Sequence, residues 1–177
     1  MAATGASAAR HLRRLDPSTT ALFLCDMQER FVKAIHAFDA VHFSASKLLR
    51  ASQLLAVPVY TTEQAPNSLG PTVPSLASLP RHPHSATVPK TRFSMVLPDT
   101  TEKWLAGGPN GEIKSVVLCG IEAHVCVLQT TLDLLEQGVG VWVVADGVSS
   151  CNAAEVPIAL AVSTGRTGHA MHGLRQR

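Results

Sequence analysis

Three side chains in this 177-residue chain can combine into chemistry: Asp26, Lys90 and Cys126. Asp26 follows the apolar run TALFLC (20–25), Lys90 closes ATVPK (86–90), and Cys126 comes just after SVVLCGI (115–121), where a helical pattern begins. A thiol at a helix N-terminus faces unpaired N–H groups and the positive end of the helix dipole, which favour its thiolate. A carboxylate beside it can take its proton, and a lysine beside both can hold the anions. The chemistry on offer is attack by sulfur on an electrophilic carbon. Taken singly, each residue has a plainer reading: Cys126 as a core thiol, Asp26 as a turn residue, Lys90 as a solvated charge. Their recurrence at strand ends joins them, because open α/β sheets bind ligands beyond the carboxyl ends of the strands.

Other residues stand near these strand ends. Gln28 and Phe31 are candidates to line a pocket, although Phe31 fits the apolar face of a helix equally well. Glu63 and Gln64 can contact a substrate or simply begin a loop, and Phe93 and Ser94 share that ambiguity. His82, His84 and His124 have no carboxylate at tight ligand spacing, so no metal is expected from them. Cys25 and Cys119 lie inside apolar runs and read as small hydrophobes. Cys151 sits in a polar stretch and reads as a surface thiol. His169 and His172 carry no pattern.

The elements that must position these residues alternate in type. TALFLC reads as a buried strand, and apolar residues recur at three- and four-residue steps from Phe38 to Leu55, which predicts an amphipathic helix. Strands follow at Val57–Thr62, Ala86–Lys90, Ser115–Ile121 and Gly140–Ala145. A helix is predicted over Val125–Gln137, with Leu128, Leu132 and Leu135 on one side and Gly138 as its stop. Residues 65–89 hold six of the 11 prolines and read as a long irregular loop. A last helix begins over 152–161, with Asn152 as its N-cap and Pro157 awkward inside it. Alternating strands and helices predict an α/β fold with a mostly parallel sheet. The pattern stops after Ala161, which leaves the final strand in question. The expected organisation is an arm over 1–17, one domain over 18–161 and an irregular tail over 162–177.

Composition agrees with a buried sheet. Hydrophobic residues make up 46% and charged residues only 16%, against a usual charged share of ~25%. The net charge of +2 divides unevenly: residues 1–20 carry +2, residues 164–177 carry +3, and residues 21–163 carry −3. A nucleic-acid binder shows its basic face on the folded body, so nucleic acid is not the expected partner. Four cysteines are too few for a disulfide scaffold, and no apolar run is long enough to span a membrane. A cytoplasmic location is expected. The Ala-, Ser- and Arg-rich first twenty residues resemble a mitochondrial transit peptide weakly and a disordered arm better.

Together, LCDMQERF (24–31), KTRFSM (90–95) and CGIEAHVC (119–126) resemble the signature stretches of the isochorismatase-like cysteine hydrolases. That superfamily includes nicotinamidases, N-carbamoyl-amide hydrolases and isochorismatases. TEQAPNSLGPTVP (62–74) is similar to the eukaryotic isochorismatase domain-containing protein 2 subgroup. The resemblance covers about residues 18–160. It implies a three-layer α/β/α fold and a catalytic triad of Asp26, Lys90 and Cys126. Cys126 would attack a carbonyl or carbamoyl carbon, Asp26 would act as general base and then acid, and Lys90 would stabilise the charged pair. The resemblance places the oxyanion hole on the backbone amides of Glu122 and Cys126 and a cis peptide at Ile121–Glu122. Nicotinamidases hold a metal with Asp and His residues after the second strand. TEQAPNSLG has neither, so no metal and no cofactor are expected. Relatives are commonly oligomers, which implies a homo-oligomer acting on a small molecule. Two other readings stand beside this one: an idle interaction protein that keeps the fold, and an RNA-processing enzyme.

Overall fold

The computed structural model describes residues 15–167 and 170–171. The apolar runs become strands: β1 (Thr20–Cys25), β2 (Val59–Gln64), β3 (Ala86–Lys90), β4 (Ser115–Ile121) and β5 (Gly140–Ser149). A two-residue β6 (Ala170–Met171) follows at the edge. Every strand pairing is parallel, and the order is β3-β2-β1-β4-β5-β6. The helices are α1 (Phe38–Leu54), α2 (Pro66–Leu69), α3 (Pro74–Ala77), α4 (Thr101–Ala106), α5 (Leu128–Glu136) and α6 (Glu155–Thr167).

Alternation along β1 divides the core between the two faces of the sheet. Leu22 and Leu24 join Phe38, Val41, Ala45 and Leu49 of α1. Phe23 and Cys25 face the other way, toward Trp104 of α4, Leu134 of α5 and Ala159 of α6. Cys126 belongs to that second group. The layers are therefore α/β/α, and all six β1 residues are buried, as expected when helices cover both faces. Tyr60 stacks on Trp104 at 4.3 Å, and Phe23 meets both edge-on. Burying a side chain of that size contributes about 1.5–3 kcal/mol.

Several boundaries differ from the sequence pattern for local reasons. β2 starts at Val59, two residues later than the apolar run, because Pro58 has no N–H to give the ladder. Its carbonyl still accepts from the Leu22 amide at 2.9 Å. β5 extends past Ala145 to Ser149 by absorbing an irregularity in register between Leu118 and Gly120. The loop over 65–89 contains α2 and α3, each with a proline at its start, where a missing N–H has no partner to lose. The short α4 is a further element, absent from the apolar pattern.

The end of the domain needs the largest correction. α6 begins at Glu155, so Asn152 is not its N-cap; Asn152 instead donates to the Glu155 side chain at 3.2 Å. Pro157 then falls in the first turn, where helix N–H groups are unpaired in any case. The helix continues to Thr167, so a boundary at 161 falls inside it. β6 pairs with Val143 and Val144 of β5, which supplies the strand that the pattern left in question. At the other end, residues 1–14 of the predicted arm lie outside the described residues, as do His169 and His172. Leu15 packs against the α1-side core, and Asp16 caps the turn Pro17–Thr19. Among the described residues no helix is long and apolar enough to cross a membrane.

Gly120 marks the tightest contact in the sheet. Its φ is +120°, and a Cβ there would lie 2.1 Å from the Cys25 carbonyl oxygen. Gly120→Ala is therefore expected to destabilise the fold by at least ~3 kcal/mol or to prevent folding. Gly165→Ala, with nothing within 4 Å, is expected to be neutral or stabilising by about 0.5–1 kcal/mol. Denaturant melts of the pair check this, and equal small effects would contradict the geometry.

Candidate active site

The chain builds outward from β1 through β2 and β3 on one side, and from β4 through β5 and β6 on the other. The boundary between β1 and β4 is therefore the switch point where an open parallel sheet leaves a crevice at the strand C-termini. Asp26 leaves β1 there with φ 49°, a left-handed conformation that Asp enters at lower cost than most residues. Its Oδ1 accepts from Thr62 Oγ1 at 2.7 Å and its Oδ2 meets Lys90 Nζ at 2.6 Å. Neither charged side chain is exposed to solvent beyond 1%.

Lys90 reaches this point from the end of β3. Its ammonium donates to Gln64 Oε1 at 2.7 Å, to the carbonyls of Phe93 at 2.8 Å and Arg92 at 3.2 Å, and to Cys126 Sγ at 3.6 Å. Burial opposes its charge, yet the facing thiols and the Asp26 carboxylate outweigh it and hold the pKa above the ordinary lysine value.

Cys126 sits on a widened turn over Ala123–Val127, in which the Val127 amide bonds back five residues to the Glu122 carbonyl at 3.1 Å. Such π-type turns are frequent at functional sites. The Ile121–Glu122 peptide before it is cis. α5 follows, and its buried face runs through Thr130, Thr131 and Leu134 instead of the leucine stripe read from the sequence. The two threonines can be buried because each hydroxyl bonds the carbonyl four residues back, Thr130 to Cys126 at 2.6 Å and Thr131 to Val127 at 2.9 Å. Thr130 Oγ1 also accepts the Met95 amide at 2.9 Å, which ties the Cys126 turn to the segment after Lys90.

The sulfur, the Asp26 carboxylate and the Cys25 sulfur all lie within 4.8 Å of one another. The Cys126 thiol is held below its ordinary pKa, first by the neighbouring Cys25 thiol and further by the Lys90 charge, against burial and the Asp26 carboxylate. The leading cause is thus a second thiol, where the sequence pointed to a helix dipole. Cys25 itself is pushed well above the ordinary thiol range, chiefly by burial, and burial pushes Cys119 up to about 12.

The remaining sequence candidates divide. Gln64 joins the site through Lys90, and its own amide donates to Thr91 O at 3.0 Å. Phe93 contributes its carbonyl while its ring is half exposed. Gln28 does not line a pocket: its buried amide donates to Gln64 O and Gly70 O and accepts the Gln64 amide, stapling the two loops together. Glu63 is similarly committed to Thr72, whose amide and hydroxyl it accepts at 2.7 and 2.8 Å. Ser94 is buried and accepts the Val96 amide, and Phe31 packs on the α1-side core. Thr62 and Cys25 are the residues that sequence reasoning missed. Both reach the site through strand register, since Cys25 pairs with Thr62 across β1 and β2, and no local motif marks that pairing.

A cleft of about 700 Å³ opens beside Lys90, walled by Ala65, Pro66 and Ser68 from the segment after β2 and by Arg92, Leu97 and Pro98 after β3. Cys25, Asp26 and Cys126 together present donors at metal-ligand separation, but the Lys90 ammonium already lies against the carboxylate where a cation would sit. The fold also brings His124 within 3.3 Å of Glu155, with Glu122 alongside. That carboxylate pairing is invisible at sequence spacing. In it, Ser150 Oγ also lies 2.9 Å from His124 Nδ1, and Glu122 Oε2 accepts the Cys151 amide at 2.7 Å.

Fold and site define an α/β/α domain with a thiol, a carboxylate and an ammonium gathered at the switch point of a parallel sheet. The Isochorismatase domain family profile matches residues 20–172, and the chain belongs to that family. Isochorismatase domain-containing protein 2 of Pongo abelii is 46% identical over 156 residues, which is 88% of this chain and 72% of that protein. The structure described as MAR1 ribonuclease from Caenorhabditis elegans is 39% identical with a TM-score of 0.82, covering 90% of this chain and 79% of that one. The Escherichia coli YcaC gene product, described as an octameric hydrolase of unknown specificity, has a TM-score of 0.75 over 90% of this chain and 78% of its own. At 22% identity that likeness speaks to the fold.

Lys90→Ala would leave the Asp26 carboxylate buried without its counter-charge, and a loss of about 3–5 kcal/mol is expected. Pairing Lys90→Met with Asp26→Asn should recover much of that loss. Equilibrium unfolding of the single and double variants tests the coupling, and strictly additive losses would contradict it.

Proposed function

We propose that this chain is a hydrolase that cleaves a small amide-like or carbamoyl substrate through a thioester on Cys126. The observation that carries the reading is the buried contact of Asp26, Lys90 and Cys126 at the sheet's switch point. Asp26 takes the thiol proton, and the sulfur forms a bond to the substrate's carbonyl carbon while the C=O electron pair moves onto oxygen. The amides of Glu122 and Cys126 are the proposed donors to that oxyanion. As the oxyanion collapses, the C–N bond breaks and Asp26 returns its proton to the leaving nitrogen. Water then gives a proton to Asp26 as its oxygen bonds the thioester carbon. The C–S bond breaks as Asp26 returns that proton to the departing sulfur, the acid leaves, and the Cys126 thiol and Asp26 carboxylate are restored. Lys90 keeps its proton throughout and balances whichever neighbour is negative. Gln64 and the Phe93 carbonyl hold that ammonium in place, and the cleft beside Lys90 admits the substrate. A homo-oligomer is part of the same proposal. The exposed Ile158 and Val162, one turn apart on α6, supply an apolar face for it.

The ribonuclease description of the C. elegans neighbour favours a second reading, RNA cleavage. The net charge of −3 over residues 21–163 supports the small-molecule reading instead, since phosphate-rich polymers bind through basic surface.

The pH dependence of iodoacetamide labelling, mapped to each cysteine, tests the nucleophile. Cys126 is expected to label fastest below the ordinary thiol range and to slow only as pH falls through its depressed pKa. Cys25 and Cys119 should stay inert, and Cys151 should react at higher pH. An amide and carbamoyl panel should then yield a Cys126 acyl adduct by mass spectrometry. Asp26→Asn or Cys126→Ala should lower kcat/KM at least ~100-fold. RNA cleavage that survives Cys126→Ala would favour the second reading. An inert Cys126 in folded protein, with no turnover, would sink the thioester and leave an interaction protein.

A further inference from the structure

The mechanism leaves a buried thiol next to Cys126 unused. Cys25 ends β1, is fully buried, and lies on the same face of the sheet as Cys126. Its backbone is clamped on both sides, by Thr62 of β2 and by Gly120 of β4. Gly120 leaves no room for a Cβ against the Cys25 backbone, so the strand end cannot drift. The Cys25 sulfur is thus held within 4.8 Å of both the Cys126 sulfur and the Asp26 carboxylate. That carboxylate is already engaged, Oδ1 by the Thr62 hydroxyl and Oδ2 by the Lys90 ammonium. The Cys126 sulfur, which also takes the Lys90 ammonium at 3.6 Å, is a further acceptor beside the Cys25 S–H.

We infer that Cys25 is a positioning residue for the nucleophile: its S–H donates a hydrogen bond to the Cys126 thiolate and holds that sulfur toward the cleft. The inference rests on the thioester reading, because it assigns Cys25 a task in that site. Burial suits Cys25 to it. A thiol pushed well above the ordinary range stays protonated wherever Cys126 is ionised, so it remains a donor and never competes as a nucleophile. The groups that face Cys126 are then Cys25 and Asp26 from β1 and Lys90 from β3. Cys25 and Lys90 favour the thiolate. Asp26 opposes it as a charge while serving as its proton acceptor. A hydrogen bond to a charged acceptor is worth more than a neutral one, and a small, weakly polar S–H can supply it without leaving a costly unpaired group when Cys126 is acylated.

The test is the pH profile of Cys126 alkylation, mass-mapped, in the parent chain and in Cys25→Ala, Cys25→Val and Cys25→Ser. Ala removes the donor and Val refills most of the volume without one, so both should lower the Cys126 rate on the acid side on the order of tenfold. Cys25→Ser restores a donor and should return the rate toward the parent's. A second readout needs no change at position 25. In the parent, the Cys25 S–H stretching band should move to lower frequency as Cys126 ionises, and in Cys126→Ser it should not move with pH. Superimposed alkylation profiles for parent, Ala and Val, or an S–H band indifferent to Cys126 ionisation, would overturn the inference while leaving an activated Cys126 standing. A parent Cys126 with an ordinary thiol profile would overturn the thioester reading first, and this inference with it.

Discussion

An aspartate and a lysine held 2.6 Å apart, both shielded from water, are an expensive pair to assemble. Desolvating each charge costs several kcal/mol, and their attraction repays this only when the surrounding polar groups complete the pair. Here they do. Thr62 serves the second carboxylate oxygen, and Gln64 and two backbone carbonyls serve the ammonium. Much of the neighbouring structure can be understood as the means of holding those partners still. Gln28 staples the segments after β1 and β2, and Glu63 fixes Thr72 in the same loop. Neither reaches into the cleft, and their value lies in keeping the carboxylate and ammonium in register.

That requirement explains why the site stands where the sheet changes direction. Asp26 and Lys90 are on strands separated by β2, and Cys126 comes from the far side of β1, after β4. Only the ends of neighbouring parallel strands bring residues 36 and 64 positions apart to one point without a long, floppy connection. The close approach of Gly120 to Cys25 sets the spacing of β1 and β4 at that end. The widened turn after β4 then turns the Cys126 sulfur back over the ion pair.

What the residues alone disclosed follows the same division. Asp26, Lys90 and Cys126 were legible because each follows an apolar run whose end is visible in the sequence. Gln28 reads as pocket-lining and Glu63 as a substrate contact or loop start because adjacency to a site in sequence does not say which way an amide or carboxylate turns; their partners lie 36, 42 and 9 residues away. Cys25 reads as core in the sequence, and it is core, but parallel register also places it against Thr62 and beside Cys126. Register between distant strands is set by packing that no local pattern reports. The leucine stripe of α5 was misplaced for a related reason: a five-residue turn precedes the helix, and buried threonines satisfied by their own helix carbonyls carry part of its inner face. The last helix is not legible past Ala161 because VSTGRT (162–167) offers no clean apolar face and contains a glycine.

The cleft and the buried cluster beneath it are built from largely different side chains. Its walls come from the segments after β2 and β3 and, apart from Lys90, contain none of the buried cluster. Ala65 and the start of α2 shape one wall and the segment after β3 the other, while the ion pair beneath is held by strand ends and their staples. Substitutions in the walls can therefore change what fits without disturbing the buried charges. Substitutions among Cys25, Asp26, Thr62 or Lys90 disturb the charges whatever the walls admit. The buried cluster and the cleft walls thus differ in their side chains, while the wall backbone still serves the cluster, since the Arg92 carbonyl holds the Lys90 ammonium. This separation is physically available because the costly electrostatics lie below the sheet's rim, where water and loop variation do not reach.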